Sequence, residues 1–181
     1  MIREVNRAGV DLVKAFEGVE DGDPSTVNLD PYLDPAPAVV TDGVVVAPAG
    51  IWTVGWGHAI RVGGKFLRGR ANRALAFSLY PGGLTVAQAE ALLRADLLDA
   101  CRDVQAMVRR PVTDNQFAAL VSFAFNCGAP ALRGSTLLRR LHEGRLADAA
   151  AEFARWTKSS GRELPGLVRR RAAERELFER A

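Results

Sequence analysis

Residues 19–64 interrupt a chain that otherwise reads as helix, and that interruption limits the architectures open to it. The stretch is rich in Gly, Pro, Asp and Val and has little helical period. Within it, Val44-Val45-Val46 and Ile51-Trp52-Thr53-Val54 read as strands, and Thr41-Asp42-Gly43 supplies a hairpin-turn signal. Ahead of it, from about Arg3 to Phe16, apolar Val5, Leu12 and Phe16 fall on one helical face. Glu17-Gly18 should end that helix, because Gly takes the left-handed conformation readily.

Beyond an ambiguous stretch, 65–83, which closes on Pro81-Gly82-Gly83, the pattern is helical. Thr85-Val86-Ala87-Gln88 is a capping box opening a helix to about Arg109, with Leu93, Leu97, Cys101, Val104 and Val108 on one face. Pro111 breaks it. A second box, Thr113-Asp114-Asn115-Gln116, leads into the apolar run from Phe117 to Phe125, the expected core helix. Further helices are expected near 131–142, 146–157 and 167–180. The chain is thus expected to be α+β, mostly helical, with a small β-rich lobe inserted after the first helix.

At 181 residues with 48% hydrophobic content, the chain can bury a sizeable core as one domain. Net charge is only +3, yet the C-terminal part concentrates Arg139-Arg140 and Arg169-Arg170-Arg171. That asymmetry favours a polyanionic partner such as nucleic acid, acidic lipid or an acidic cell wall. Cations at the start of the last helix oppose its dipole, so the arginine triplet is read as partly recruited into salt bridges or ligand contacts. Cys101 and Cys127 are expected to be free thiols. No apolar run reaches membrane-spanning length, and the first residues lack a secretory h-region, so cytosolic synthesis is expected.

Three residues stand out as able to carry chemistry. Glu17 closes the first helix, with Phe16 before it and Gly18 after it, and its carboxyl suits a general acid. Asp34, in Tyr32-Leu33-Asp34-Pro35, is a second carboxylate, although Asp21, Asp23, Asp30 and Asp42 compete for its role. Thr53 offers a hydroxyl beside a carboxylate, able to orient a water. Gly55 and Gly57 flank Trp56, and glycine inside a strand marks a close approach of backbone to something else. A proton donor with a positioned water suits glycosidic hydrolysis. His58 and His142 have no ligand neighbours at metal spacing, and the chain contains no phosphate loop and no Gly-x-Ser-x-Gly elbow.

With these residues in hand, the chain resembles the phage-type lysozymes, or endolysins, of glycoside hydrolase family 24. The resemblance rests on Phe16-Glu17-Gly18, Tyr32-Leu33-Asp34-Pro35 and Gly50-Ile51-Trp52-Thr53-Val54-Gly55-Trp56-Gly57-His58. It continues through Leu84-Thr85 with Gln88-Ala89-Glu90, and then the run from Asn115 to Phe123 with Asn126 and Gly128. Trp156 and Gly161 follow, and Leu164-Pro165-Gly166-Leu167-Val168-Arg169-Arg170-Arg171 closes the set. The chain departs from the family in spacing: sixteen residues separate Glu17 from Asp34 and eighteen separate Asp34 from Thr53, longer than the family pattern. The excess includes 36–49, which looks like an added loop or hairpin.

The resemblance implies a single lysozyme-like domain over 1–181, with a β-rich lobe near 19–64, a helical lobe of 1–18 and 65–181, and an active-site cleft between them. It implies hydrolysis of the β-1,4 bond between N-acetylmuramic acid and N-acetylglucosamine, with inversion. Glu17 would be the acid, and Asp34 with Thr53 would hold the water. Phe125, Asn126 and Ser135 would line the saccharide site. No metal or organic cofactor, no nucleic acid, no stable membrane insertion and a monomeric state are implied. The partner would be bacterial peptidoglycan, reached after release by a separate holin. Alternatives are a lytic transglycosylase on the same bond, an inactive wall-binding module, and a basic membrane-disrupting protein.

Overall fold

The computed structural model describes residues 1–17, 29–34, 39–41, 44–46, 49–159 and 161–180. The chain forms two compact units, Glu17–Leu93 and Met1–Phe16 with Arg94–Ala181. Helix α1 spans Arg7–Glu17. It starts later than periodicity suggests because Asn6 caps it: the Gly9 amide donates to Asn6 Oδ1 at 2.9 Å and the Val10 amide to Asn6 O at 3.2 Å. Gly18, the expected end signal, lies outside the described residues.

In the Glu17–Leu93 unit, β1 (Tyr32–Asp34) is followed by β2 (Val39–Thr41), β3 (Val44–Val46), β4 (Ile51–Val54) and β5 (His58–Ala59). The short strands β6 (Arg61–Val62) and β7 (Lys65–Phe66) come next, then a 3₁₀ turn at Arg70–Asn72 and α2 (Arg73–Leu79). The main sheet has the antiparallel order β1-β4-β5, with Tyr32 opposite Thr53, Leu33 opposite Trp52 and Asp34 opposite Ile51. Side chains alternate across a strand, so Leu33, Trp52 and Val54 share one face and Tyr32, Asp34 and Thr53 the other. The first face carries the apolar cluster of Trp52, Val54, Ile60, Leu67 and Ala76, with Leu33 and Phe77 packed against it. Trp52 Nε1 donates to Gly69 O at 2.8 Å, which satisfies the one polar atom of the buried indole.

The expected hairpin between β1 and β4 is present, since β2 pairs β3 with Thr41 opposite Val44. Its turn residues Asp42 and Gly43 lie outside the described residues. The unit extends beyond 64 because Leu67 and Ala76 complete its core.

Helix α3 (Val86–Met107) begins at the expected box: the Gln88 amide donates to Thr85 Oγ1 at 3.2 Å and the Thr85 amide to Gln88 Oε1 at 2.9 Å. Leu93, Leu97, Cys101 and Val104 are buried along one face. In the helical unit, α4 (Asp114–Cys127) starts at the second box and buries every residue of 117–124. A helix apolar on all sides belongs at the centre of its unit, and α4 packs chiefly on the last helix. The expected helix over 131–142 is instead two, α5 (Ala129–Arg133) and α6 (Thr136–His142), separated at Gly134-Ser135, where Ser135 caps α6. Helix α7 (Leu146–Glu152) passes into a 3₁₀ turn, Phe153–Arg155, rather than continuing to 157. The short pair β8 (Lys158–Ser159) and β9 (Arg162–Glu163) follows, before α8 (Pro165–Glu179).

The arginine triplet opening α8 divides. Arg169 is exposed, whereas Arg170 and Arg171 are 3% and 1% exposed around Glu174 at 0%. Glu174 Oε1 accepts from Ser122 Oγ at 2.7 Å, Arg171 Nη2 at 3.0 Å and Arg170 Nε at 3.3 Å. Arg171 Nε and Glu174 Oε2 form an ion pair at 2.9 Å without hydrogen-bond alignment. Burial pushes the Glu174 carboxyl up, against the pull of Arg171, Ser122 and Arg170. Two of the three cations are therefore structural and present no charge to a partner. Cys101 and Cys127 are both free thiols, and burial pushes each of them up.

Glu174→Ala leaves two buried guanidiniums without their counter-charge, a loss of about 3–5 kcal/mol. Urea denaturation should register it. A loss below about 1 kcal/mol would show that solvent reaches the arginines.

Candidate active site

Glu17 is the last residue of α1 and is half-buried. Its carboxyl lies over the backbone of Gly57, where a Cβ would stand 3.7 Å from Glu17 Oε2. Gly57 has φ +80° and Gly55 φ +59°, both in the left-handed region. A Cβ at Gly55 would also press on Ala89 Cβ at 3.0 Å. The two glycines therefore serve different contacts: Gly55 admits the start of α3, and Gly57 admits the carboxyl. Trp56 between them is 3% exposed.

Thr53 sits four residues before Gly57 and is 3% exposed. Its Oγ1 donates to Ile51 O at 3.2 Å, which leaves the oxygen's lone pairs for another donor. Asp34, on β1, is exposed and shares Thr53's sheet face, on the diagonal to it. Diagonal neighbours on adjacent strands lie roughly 7–8 Å apart, a gap that one water spans. A carboxylate and a hydroxyl so arranged can accept a water's proton and orient its lone pair. A third group, Gly50, was not singled out as a site residue in the sequence. A Cβ there would collide with the carbonyl oxygen of Asp34, so Gly50 lets β1 and the approach to β4 close where Asp34 stands. Its signal was a glycine directly ahead of the strand.

The three chemically reactive side chains thus belong to the Glu17–Leu93 unit, whereas Phe125, Asn126 and Ser135 belong to the helical unit. Phe125 is half-buried and Asn126 exposed, both near the end of α4. Asn126 Oδ1 accepts from Arg171 Nη2 at 2.9 Å, which assigns its other end, the NH₂ group, as a donor. Arg171 also donates to Cys127 Sγ, so the buried charge cluster holds the end of α4. Ser135 Oγ donates to Leu132 O at 2.7 Å and accepts from the Leu138 amide at 3.0 Å. Its single hydroxyl hydrogen is spent on the Leu132 carbonyl of α5, and its oxygen caps α6. His58 is half-buried and pairs through β5 with Val54. Among the described residues, no group of three His, Cys, Asp or Glu side chains converges as a metal site.

Comparison with known proteins matches residues 27–174 to the phage lysozyme family model. The endolysin of Bacillus phage PZA is 39% identical over 175 residues, covering 97% of this chain and 55% of that protein. The endolysin of Acyrthosiphon pisum secondary endosymbiont phage 1 is 37% identical over 139 residues, 74% of this chain and 83% of that one. Against the Bacillus phage endolysins the chain spans only about half their length. In three dimensions it is similar to the muramidase domain of SpmX from Asticaccaulis excentricus, with TM-score 0.67, 34% identity and 99% of each chain covered. It is also similar to P22 lysozyme, with TM-score 0.69, 28% identity, 97% of this chain and 98% of that one covered.

Gly50→Ala should cost about 1–3 kcal/mol, because the methyl must displace backbone rather than a flexible side chain. Gly134→Ala, at φ −87° with its nearest outside atom 3.7 Å away, should cost under about 0.5 kcal/mol. Thermal melts of the two variants check the contrast. Equal melting temperatures would mean that β1 yields freely at Asp34.

Proposed function

The chain belongs to the phage lysozyme family, and on that premise we propose that it hydrolyses the β-1,4 bond between N-acetylmuramic acid and N-acetylglucosamine in bacterial peptidoglycan. One observation carries the reading: the Glu17 carboxyl rests on Gly57, in the same segment whose Thr53 shares a sheet face with Asp34. Two carboxyls and a hydroxyl on one small unit match the demands of glycoside cleavage, a proton for the leaving oxygen and an activated water.

Glu17 protonates the glycosidic oxygen as the bond breaks. Asp34 removes a proton from the water that attacks the anomeric carbon, and Thr53 Oγ1 accepts the water's other hydrogen and fixes its direction. Water attack from the opposite ring face inverts the anomeric centre. Phe125 offers an apolar surface to a sugar ring and Asn126 a donor amide, while Ser135 contributes by holding the start of α6. No cofactor enters this chemistry. The biological role is wall degradation during phage lysis, with a holin giving access from the cytoplasm. No helix among the described residues is long and apolar enough to cross a membrane.

Glu17→Gln keeps the shape of the side chain but cannot donate an acid proton, so hydrolysis of purified peptidoglycan should fall about 10²–10⁴-fold with the melting temperature nearly unchanged. Turbidity loss at wild-type rate would remove Glu17 from the reaction. Asp34→Asn should be similarly damaging, whereas Asp30→Asn should retain most activity because Asp30 lies outside the β1–β4 ladder. The reverse ranking would move the base to Asp30. Product mass distinguishes the transglycosylase alternative, since an anhydro end lacks the water that hydrolysis adds.

A further inference from the structure

Between Asp42 and Glu90 the sequence contains no acidic residue and five cations, Arg61, Lys65, Arg68, Arg70 and Arg73. All five are exposed. None of them forms an ion pair among the described residues, and the run of 47 residues without a carboxylate sets the segment apart from the helical unit. There, several exposed arginines pair within a helical turn: Arg102 with Asp99, Arg145 with Asp148, Arg155 with Glu152, Arg175 with Glu179 and Arg180 with Glu176. Arg109, Arg133, Arg162 and Arg169 are exposed in that unit as scattered single cations. Among the described residues, the segment on the β-rich unit carries its charge outward without a paired carboxylate.

Local structure holds the charges at the surface. The β6–β7 hairpin turns on Gly63-Gly64, with φ +56° and +78°, the positive values that a tight two-residue turn requires. Arg61 and Phe66 are cross-strand partners, and the Arg61 guanidinium stands 4.0 Å from the Phe66 ring centroid, with that of Arg68 at 5.7 Å. Arg73 stacks 4.5 Å over Phe77 in the same way. Stacking fixes the guanidinium plane and leaves its edge donors for oxyanions, the geometry that suits phosphate. In sequence, Lys65 falls between Arg61 and Arg68, and Arg70 between Arg68 and Arg73; neither has a side-chain partner among the described residues. A lipid surface fits less well: Phe66, though exposed, carries the Arg61 and Arg68 guanidiniums over its ring, and the exposed Leu75 and Leu79 sit on α2, which has only seven residues.

We infer that residues 61–73 form a docking surface for phosphodiester polyanions, the polyol-phosphate chains carried by a cell wall. The inference rests on the wall-hydrolase reading above and supplies that reading with a tether on the β-rich unit. Arg170 and Arg171, the cations most prominent in the sequence, are buried around Glu174 and cannot serve. The surface raises the enzyme's concentration at walls rich in phosphodiester, and added salt weakens it.

Co-sedimentation of the Glu17→Gln protein, which leaves the wall intact, measures the docking. The probes are walls bearing polyol-phosphate chains, the same walls stripped with hydrofluoric acid, and equimolar phosphatidylcholine–phosphatidylglycerol vesicles. Binding to unstripped walls should be roughly tenfold tighter than to stripped walls, at the lower end of electrostatic steering. Adding Lys65→Gln and Arg70→Gln should erase most of that difference while leaving binding to stripped walls and the melting temperature unchanged. Equal binding to the two walls, full discrimination in the double variant, or tighter binding to the vesicles would each overturn the inference. Reducing ends released from stripped walls by the unmutated chain test the hydrolase reading separately.

Discussion

The register that sets Tyr32 opposite Thr53 governs the β-rich unit and the site built on it. Because strand side chains alternate, a slip of one residue in β4 would turn Trp52 and Val54 outward and drive Thr53 into the apolar cluster, away from Asp34. Burial of Trp52 at 5% exposure and Val54 at 0% therefore secures the face that carries Asp34 and Thr53 as well as the core. Gly50 permits the close approach at Asp34, and the Trp52 indole, anchored on Gly69 O, ties β4 to the segment that follows. Packing on one face of the sheet thus fixes which side chains stand on the other.

The helical unit depends on a different arrangement. Its centre, α4, is buried along eight consecutive residues, and one of them, Ser122, donates into the charge cluster of Arg170, Arg171 and Glu174. Two guanidiniums and one carboxylate are costly to bury unless each is bonded, and here the bonds reach the end of α4 through Asn126 and Cys127. Aromatic packing surrounds them, with Phe123 meeting Phe153 and Trp156 edge-on at 5.8 and 5.2 Å. The cluster links the packing of α8 to the orientation of a residue assigned to sugar contact.

Much of this was legible in the sequence where local chemistry decides the outcome. Both capping boxes formed, because a Thr and a Gln three residues apart satisfy each other's backbone amides whatever lies beyond. The apolar run after the second box became the buried core helix for equally local reasons. The long spacing between Asp34 and Thr53 obscured that their strands pair; the β2–β3 hairpin lies within the added stretch, and β1 still meets β4. The divided fate of Arg169, Arg170 and Arg171 was less legible, since adjacent letters on a helix point in different directions and only tertiary packing says which are buried. The break at Gly134-Ser135 and the β8–β9 pair turn on short polar stretches that resemble ordinary helix ends. Gly50 left a signal, but its reason, the Asp34 carbonyl, lies sixteen residues earlier in the chain.

The central claim is that Asp34 and Thr53 direct a water while Glu17 supplies the proton, a mechanism that needs carboxyls roughly 6.5–9.5 Å apart rather than the 5–5.5 Å of a covalent route. Proton NMR of the newly released reducing sugar, recorded before mutarotation, tests it most directly. The account predicts the α anomer as the first product from a β-1,4 bond. Accumulation of the β anomer first would mean retention through a covalent intermediate, and would contradict the roles given to Asp34 and Thr53.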